Sequence, residues 1–458
     1  MSLLDSRDPR PVHFVGIAGA GMSALAELFH RRGVSVTGCD ASPASAHDLR
    51  RLGIPVLEGH DPDHASQVRA LVVTSAMPRD HPELVRAREL AIPVVRRAEA
   101  LGEATAGREL VGVAGTHGKS TTTVMTTEAL AAAGRDPTAL VGARVTAWGG
   151  NLRAGGDELY VVEADEYDRS FLALTPTVAV ITNVEADHLD IYADLADIRQ
   201  TFAAYANAAR WVVLCADDAG ANTIPTSNSA EVVRYGIENV RDARLVARDL
   251  VLADGGTRCT VSYDGKDIGE LVLRVPGRHN VLNALAAVAS GIAVGVTLPA
   301  MAPGLEAFTG VERRFQRLGD AAGVSVVDDY AHHPTEIVAT LAAARAAYPG
   351  RRIVAAFQPH LFSRTRDFAR EFADALSAAD AVFLADIYPA REQPIEGVTA
   401  DIIGNQVGDG RLAWRGPRTQ MAEALASAAR KGDVVITIGA GDVTKTGPEL
   451  LSRLAERE

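Results

Sequence analysis

At two places in this chain a short apolar run stops on glycines and passes directly into a helix-forming segment. Val12-His-Phe-Val-Gly-Ile17 leads into Ala18-Gly19-Ala20-Gly21-Met22-Ser23-Ala24, and Leu110-Val-Gly-Val-Ala114 leads into Gly115-Thr-His-Gly118-Lys119-Ser120-Thr121. A strand–turn–helix passage of this kind belongs to a parallel sheet, because the helix carries the chain back to start the next strand in the same direction. The alternation continues. Strands are expected at Val34–Gly38, Leu71–Thr74, Pro93–Val95, Leu159–Val162, Val178–Ile181, Trp211–Leu214, Val324–Val327, Ile353–Phe357, Ala381–Leu384 and Val434–Ile438. Helices are expected over Ser23–Arg32, Asn280–Val294, Thr335–Ala347, Arg366–Ser377 and Gln420–Arg430. The stretch from Arg244 to Val275 is more polar, with turn signals at Asp254-Gly-Gly256 and Asp264-Gly265, and reads as a small antiparallel insertion.

With 458 residues the chain has room for about three domains. The strand–helix rhythm divides it into residues 1–107, 108–310 and 311–458. All are α/β: a Rossmann-like first domain, a central parallel sheet with the insertion, and a Rossmann-like third domain. Ala302 to Gly310, with Pro303, Gly304 and Gly310, reads as a linker able to act as a hinge.

Charge narrows the partners. Lys and Arg total 46 against 58 Asp and Glu, a net charge of −12. So acidic a chain is a poor general binder of nucleic acid or of an anionic membrane, and an anionic ligand needs local cations or backbone N–H groups. The only lysines are Lys119, Lys266, Lys431 and Lys445, which makes a lysine inside a glycine-rich turn notable. Cys39, Cys215 and Cys259 lie far apart without metal spacing, and each reads as a small core residue in a reducing compartment. No secretory leader and no apolar run of about 20 residues is visible, so the expectation is a cytoplasmic protein.

The first turn, Gly19-x-Gly21-x-x-Ala24 with Asp40 following the second strand, fits a diphosphate cradle: glycines let the backbone approach, and a helix N-terminus offers unpaired N–H groups. The second turn has the context of a P-loop, although Val113 stands where the strict pattern has glycine. Its backbone would cradle phosphates, Lys119 would neutralise the transferred phosphoryl group, and Ser120 would ligate Mg²⁺. Glu163 and the run Asn183-Val-Glu185-Ala-Asp187-His188 follow strands that should end at the same sheet edge, so Glu163 is a metal-ligand candidate with His188 beside it. Polar clusters recur in the last third: Glu312-Arg313-Arg314-Phe315, Asp328-Asp329-Tyr330-Ala-His332-His333-Pro334-Thr-Glu336 and Gln358-Pro-His360-Leu-Phe-Ser363-Arg364-Thr-Arg366.

Gly115-Thr-His-Gly-Lys119, Glu163-Ala-Asp-Glu166, Asn183 to His188, Gly277-Arg-His-Asn280-Val-Leu-Asn283 and Asp329-Tyr-Ala-His332-His333-Pro together resemble the Mur ligases, in motif order along the whole chain. The resemblance implies a UDP-binding first domain, an ATPase second domain and a third domain for an amino acid. It implies transfer of L-alanine to UDP-N-acetylmuramate, or attachment of a whole peptide by a recycling member of the family. Gly19, Ala20, Gly21, Met22, Ser23, Asp40 and Ser75 would surround the UDP part. Gly115, Thr116, His117, Gly118, Lys119, Ser120 and Thr121 would hold the ATP phosphates, with Ser120 and Glu163 on one Mg²⁺ and His188 on a second. His279 and Asn280 would face adenine and Asp329 the ribose, while Arg314 would reach the phosphates from the next domain. Tyr330, His332 and Arg364 would surround the amino acid. Lys119, His188, Arg314, His332 and Arg364 would form the catalytic set. Leu361 stands where relatives often carry arginine, which shifts the amino-acid carboxylate toward Arg364 or Arg366. A nicotinamide dehydrogenase built on the first turn would leave the second turn without a purpose, and a non-catalytic UDP-sugar binder would leave Lys119, Glu163 and His188 without one.

Overall fold

The computed structural model describes residues 2–75, 77–189, 191–253, 256–390, 392–408 and 410–457. Asp190 and the Asp254-Gly255 turn lie outside the described residues. Three sheets carry the fold. The first has five strands in the order Val56–Glu58, Val36–Asp40, Val12–Val15, Ala70–Val73, Val94–Arg96, all parallel. Its order reverses beside Val12–Val15, the place where α/β sheets open a ligand crevice at their carboxyl edge.

The second sheet has ten strands: Lys266–Leu273, Gly256–Tyr263, Leu245–Ala253, Glu231–Gly236, Trp211–Cys215, Val178–Ile181, Glu109–Ala114, Leu159–Glu163, Thr138–Val145 and Gly150–Arg153 in spatial order. Its middle strands are apolar along their length, as in Val178-Ala-Val-Ile181, because helices cover both faces. Glu163 pairs with Val113 and Ile181 with Ala114, so both acidic strand ends stop at the Gly115 turn. The stretch expected as a small antiparallel insertion lies at one end of this sheet and extends it. Leu245–Ala253 pairs parallel with Glu231–Gly236, and Gly256–Tyr263 and Lys266–Leu273 follow in order at the edge.

The third sheet runs Gln316–Ala321, Val324–Asp329, Val434–Ile438, Ile353–Phe357, Ala381–Ala385, Leu412–Gly416, parallel except for its first pair. Alternation along its strands builds two cores. Val327, Phe357 and Ile436 pack with Ile337 and Phe372 on one face, and Val326, Phe383 and Val435 pack with Met421 and Leu450 on the other. Both edge strands, Gln316–Ala321 and Leu412–Gly416, are absent from the sequence expectations because their faces are half exposed and mixed in polarity.

One helix expectation and the linker expectation need correction. Arg366–Ser377 is two helices, Phe362–Asp367 and Ala369–Leu376, broken at Phe368. The expected linker is mostly helix: Leu298–Ala307 contains Pro303 and packs on the helix Lys119–Ala132. A Cβ on Gly304 would lie 2.3 Å from the Glu128 carbonyl oxygen, so glycine is there for close approach. What remains of the linker is Phe308–Gly310.

The chain condenses into two compact units, one of Met1–Asp249, Cys259–Val272 and Val281–Phe308, the other of Leu250–Arg258, Leu273–Asn280 and Thr309–Glu458. Among the described residues no helix is long and apolar enough to cross a membrane.

Candidate functional site

In the first unit, the helix Ala20–Arg31 starts directly after Gly19 with no side-chain cap, leaving its first N–H groups available. Gly16 has φ +77°, and the N–H groups of Gly16 and Ile17 both donate to the Cys39 carbonyl, at 2.8 and 3.0 Å. Asp40 accepts from the Ala18 N–H at 3.0 Å and the Ser42 N–H at 2.8 Å, so it shapes the turn. An open cleft of about 230 Å³ lies over this turn. Gly19, Ala20, Gly21 and Met22 line one side, and Gly142, Glu163 and Asp165 line the other. Ser23, Asp40 and Ser75 are not among its lining residues, and Thr74 stands at the strand end instead of exposed Ser75. Arg97, which the sequence reading missed, also lines the cleft, and its Nη2 is 3.5 Å from Asp165 Oδ2. The signal available was its position: it opens a helix just past the carboxyl end of the strand Val94–Arg96.

The Gly115 turn is locked from beneath. Gly115 and Gly118 have φ +136° and +79°, and a Cβ on either would strike Thr182 Oγ1 or Asn283 Oδ1, at 2.0 and 2.7 Å. The His117 N–H donates to Asn183 Oδ1 at 2.7 Å, Thr182 Oγ1 donates to the His117 carbonyl at 2.6 Å, and the Glu185 N–H donates to Thr116 Oγ1 at 3.0 Å. The second acidic strand end is therefore a clamp on the turn. Lys119 Nζ donates to the Gly115 carbonyl at 2.7 Å and to Glu166 Oε1 at 2.9 Å. Ser120 Oγ donates to Glu163 Oε2 at 2.9 Å, which also takes the Gly142 N–H at 2.8 Å, and Thr121 is buried beside it.

Electrostatics follow from that packing. Burial works against the charge on Lys119, but Glu166, Asp165 and Glu163 outweigh it and hold its pKa above the ordinary value. Burial likewise opposes ionisation of Glu166, and Lys119 and His188 overcome it, holding its carboxyl below the usual range. Asp165 is pushed up, by burial first and by its neighbour Glu166 second. His188 Nε2 lies 3.6 Å from Glu166 Oε1, and despite burial its pKa is raised by Glu166 and Asp187.

In the second unit, the strand ends of the third sheet gather the later candidates. Asp329 accepts from the Phe315 N–H at 2.8 Å and the Ala331 N–H at 2.7 Å, and burial pushes its pKa up to about 6 against the pull of Arg314. The guanidinium groups of Arg313 and Arg314 lie over the Tyr330 ring, at 4.8 and 5.0 Å from its centre. Arg314 Nη1 is 3.7 Å from Glu336 Oε1, and the His332 N–H donates to Glu336 Oε2 at 2.9 Å. The His332 ring neighbours Tyr330 and His360, and His360 stacks on Tyr388. Glu336, which closes the polar run expected after the strand Val324–Asp329, thus joins Arg314, Tyr330 and His332 in one cluster, and Tyr388, which the sequence did not single out, stacks beside it. Arg364 is buried in the helix Phe362–Asp367, which follows Leu361 at φ +71°. His279 is half-buried, and burial lowers its pKa to about 4, so it is neutral at pH 7. Asn280 Nδ2 donates to the Pro276 carbonyl at 2.6 Å.

Glycine-cradled turns, a buried lysine among carboxylates, and basic and aromatic side chains at a further sheet edge define an α/β enzyme of the phosphoryl-transferring kind, built in three domains. Models of the Mur ligase family match in sequence: the "catalytic domain" at residues 11–109, the "middle domain" at 113–291 and the "glutamate ligase domain" at 313–441. The chain is 46% identical over 466 residues to a UDP-N-acetylmuramate–L-alanine ligase of Cutibacterium acnes, covering 99% of this chain and 98% of that one. To the protein of the same name from Thermobifida fusca it is 45% identical, covering 99% and 100%. A crystal structure of the UDP-N-acetylmuramate–alanine ligase of Thermotoga maritima matches with TM-score 0.83 and 29% identity over 98% of this chain and 100% of that one. A murein peptide ligase structure from Psychrobacter arcticus, at 24% identity and TM-score 0.72 over 97% and 99%, shares the fold. The chain belongs to the Mur ligase family.

Proposed function

We propose that this chain uses ATP to join the amino group of L-alanine to the carboxylate of UDP-N-acetylmuramate, a step in making peptidoglycan precursors in the cytoplasm. The observation that carries the reading is the Gly115–Ser120 turn, with Lys119 bonded to Glu166 and Ser120 bonded to Glu163, a residue that lines the cleft over the Gly19 turn. Relatives bearing that activity in their names align over nearly the whole chain.

A carboxylate does not react with an amine, so the γ-phosphoryl group of ATP first passes to a carboxylate oxygen and ADP leaves. The amine nitrogen then attacks the acyl carbon, phosphate departs with that oxygen, and the nitrogen loses a proton. The protein's part is positioning and charge neutralisation. Gly19 to Ser23 and Arg97 would hold the UDP diphosphate, with Asp40 shaping the turn and Ser75 further out. Gly115 to Thr121 would seat the ATP phosphates, with Lys119 leaving Glu166 to meet the transferred group. His279, Asn280 and Asp329 would serve the nucleoside, and Arg314 the phosphates. Tyr330, His332 and Arg364 would orient alanine.

A Mg²⁺ ion fits the donors present. Ser120 Oγ and Glu163 Oε2 are hard oxygen donors 2.9 Å apart, and Glu166 Oε2, beside His188, is buried without a hydrogen-bond partner. Bound there, the ion would neutralise phosphate charge during transfer.

The test is phosphate release from ATP with UDP-N-acetylmuramate, Mg²⁺ and single amino acids, alongside a short peptide. Release that depends on L-alanine supports the proposal. Preference for the peptide would make the chain a recycling ligase, and binding of NAD in preference to the UDP-sugar would remove the reading altogether.

A further inference from the structure

In the first domain, apart from the cleft, four side chains from four separate segments converge. His13 comes from the strand Val12–Val15 and Cys39 from Val36–Asp40. His64 comes from the single turn Pro62–Ala65, and Glu83 from the first turn of the helix Pro82–Glu89. One imidazole nitrogen, sulfur or carboxylate oxygen of each lies within 4.8 Å of every other. Glu83 Oε1 is 3.1 Å from Cys39 Sγ and 3.2 Å from His64 Nδ1. Glu83 Oε2 faces His13 Nε2 at 3.6 Å, beyond a good hydrogen bond, and both atoms are buried without a hydrogen-bond partner.

Glu83 is 0% exposed and His13 1% exposed. A carboxylate so placed is costly unless a positive charge answers it. Among the described residues its ion-pair partners are His13, His60 and His64, with no lysine or arginine. One sulfur, two imidazoles and a carboxylate are the donors favoured by Zn²⁺ and similar divalent transition metals. Tetrahedral bonds of about 2.0–2.3 Å place neighbouring donors roughly 3.3–3.7 Å apart, close to the separations of 3.1–3.6 Å around Glu83.

The geometry points to a structural metal site in the first domain, in which His13, Cys39, His64 and Glu83 hold one four-coordinate transition-metal ion, Zn²⁺ by donor chemistry. An outer shell is present. Thr37 Oγ1 is 2.9 Å from His13 Nδ1, which turns His13 Nε2 inward, and His60 Nδ1 is 3.3 Å from Cys39 Sγ. Binding takes the thiolate, so the Cys39 proton is released to solvent. The ion would clip two strands, a turn and a helix together. It would also fix the base of the Gly19 turn, since the Cys39 carbonyl receives the Gly16 and Ile17 N–H groups. The competing account is a metal-free network in which the histidines carry protons and hydrogen-bond Glu83.

The experiment uses the full chain stripped of metal and titrated with Co²⁺, then with Zn²⁺. The expected result is a thiolate-to-cobalt charge-transfer band that saturates at one ion per chain and is erased by Zn²⁺, with a higher melting temperature in Zn²⁺. Cys39→Ala should lose the band, and Glu83→Gln should bind cobalt at least tenfold more weakly. Absence of the band in the wild-type chain supports the protonated network and overturns the proposal, as does a band that survives in Cys39→Ala. If neither variant folds, X-ray absorption of the zinc-loaded wild type decides: a sulfur neighbour at about 2.3 Å is expected, and a shell of only nitrogen and oxygen overturns it.

Discussion

Lys119 is held by Glu166, and this changes what its removal should do. As a phosphate-binding lysine, its loss should lower turnover by ~10²-fold or more. As one half of a buried ion pair, its loss also strands Glu166, at roughly 3–5 kcal/mol of stability. Lys119→Ala is therefore expected to fail in phosphate release and to unfold at lower urea, while a double variant Lys119→Ala with Glu166→Gln regains stability without activity. Equal urea midpoints for wild type and Lys119→Ala would show that the pair contributes nothing. Asp329 offers a pH test. Its pKa is raised from 3.8 to about 6, so the native state favours the protonated carboxyl. The stability it contributes is complete below pH 3.8 and is lost as pH rises through about 6. Relative to wild type, Asp329→Asn should gain stability across that window and show a constant difference above it, read from urea midpoints at pH 4 to 7. Lys119, Ser120 and Glu163 were legible in the sequence because spacing alone places them after a strand. Glu166 was visible in its motif but its pairing with Lys119 was not, and Arg97 was missed altogether, since each acts through a side chain distant in sequence, Lys119 in one case and Asp165 in the other.

Elements buried on both faces were the easiest to read: Val178–Ile181, Ile353–Phe357 and Val434–Ile438 have the ends expected of them. The helix Leu298–Ala307 was the hardest, because Pro303 and Gly304 read as breakers. Tertiary packing reverses that reading, with Gly304 the point where this helix touches the Glu128 carbonyl and the Ala132 Cβ. Gly304→Ala improves helix propensity yet should destabilise the chain by about 1–3 kcal/mol through overpacking. Chemical denaturation checks it, and a stabilised variant would mean the two helices separate freely at this point.

On the scale of the whole chain, two compact units imply that unfolding need not be one transition. The Gly19 turn and the Lys119 turn lie in the same unit. UDP-N-acetylmuramate alone should therefore raise one calorimetric transition more than the other, by mass action on the unit that holds it. Equal shifts in both would mean that the chain melts as a single body. The helix Lys119–Ala132 bears on how that unit is assembled. Seven of its fourteen residues are Ser, Thr or Val, which disfavour an isolated helix, and the Thr123, Thr126 and Thr127 hydroxyls bond carbonyls one turn back. It has little tendency to form early on its own, and its shape comes from the sheet and the helix Leu298–Ala307 packed on it. Its last-named neighbour begins at Leu298, well over a hundred residues later in synthesis. A nascent chain is therefore expected to lack a formed Gly115 turn until most of the central domain has been made.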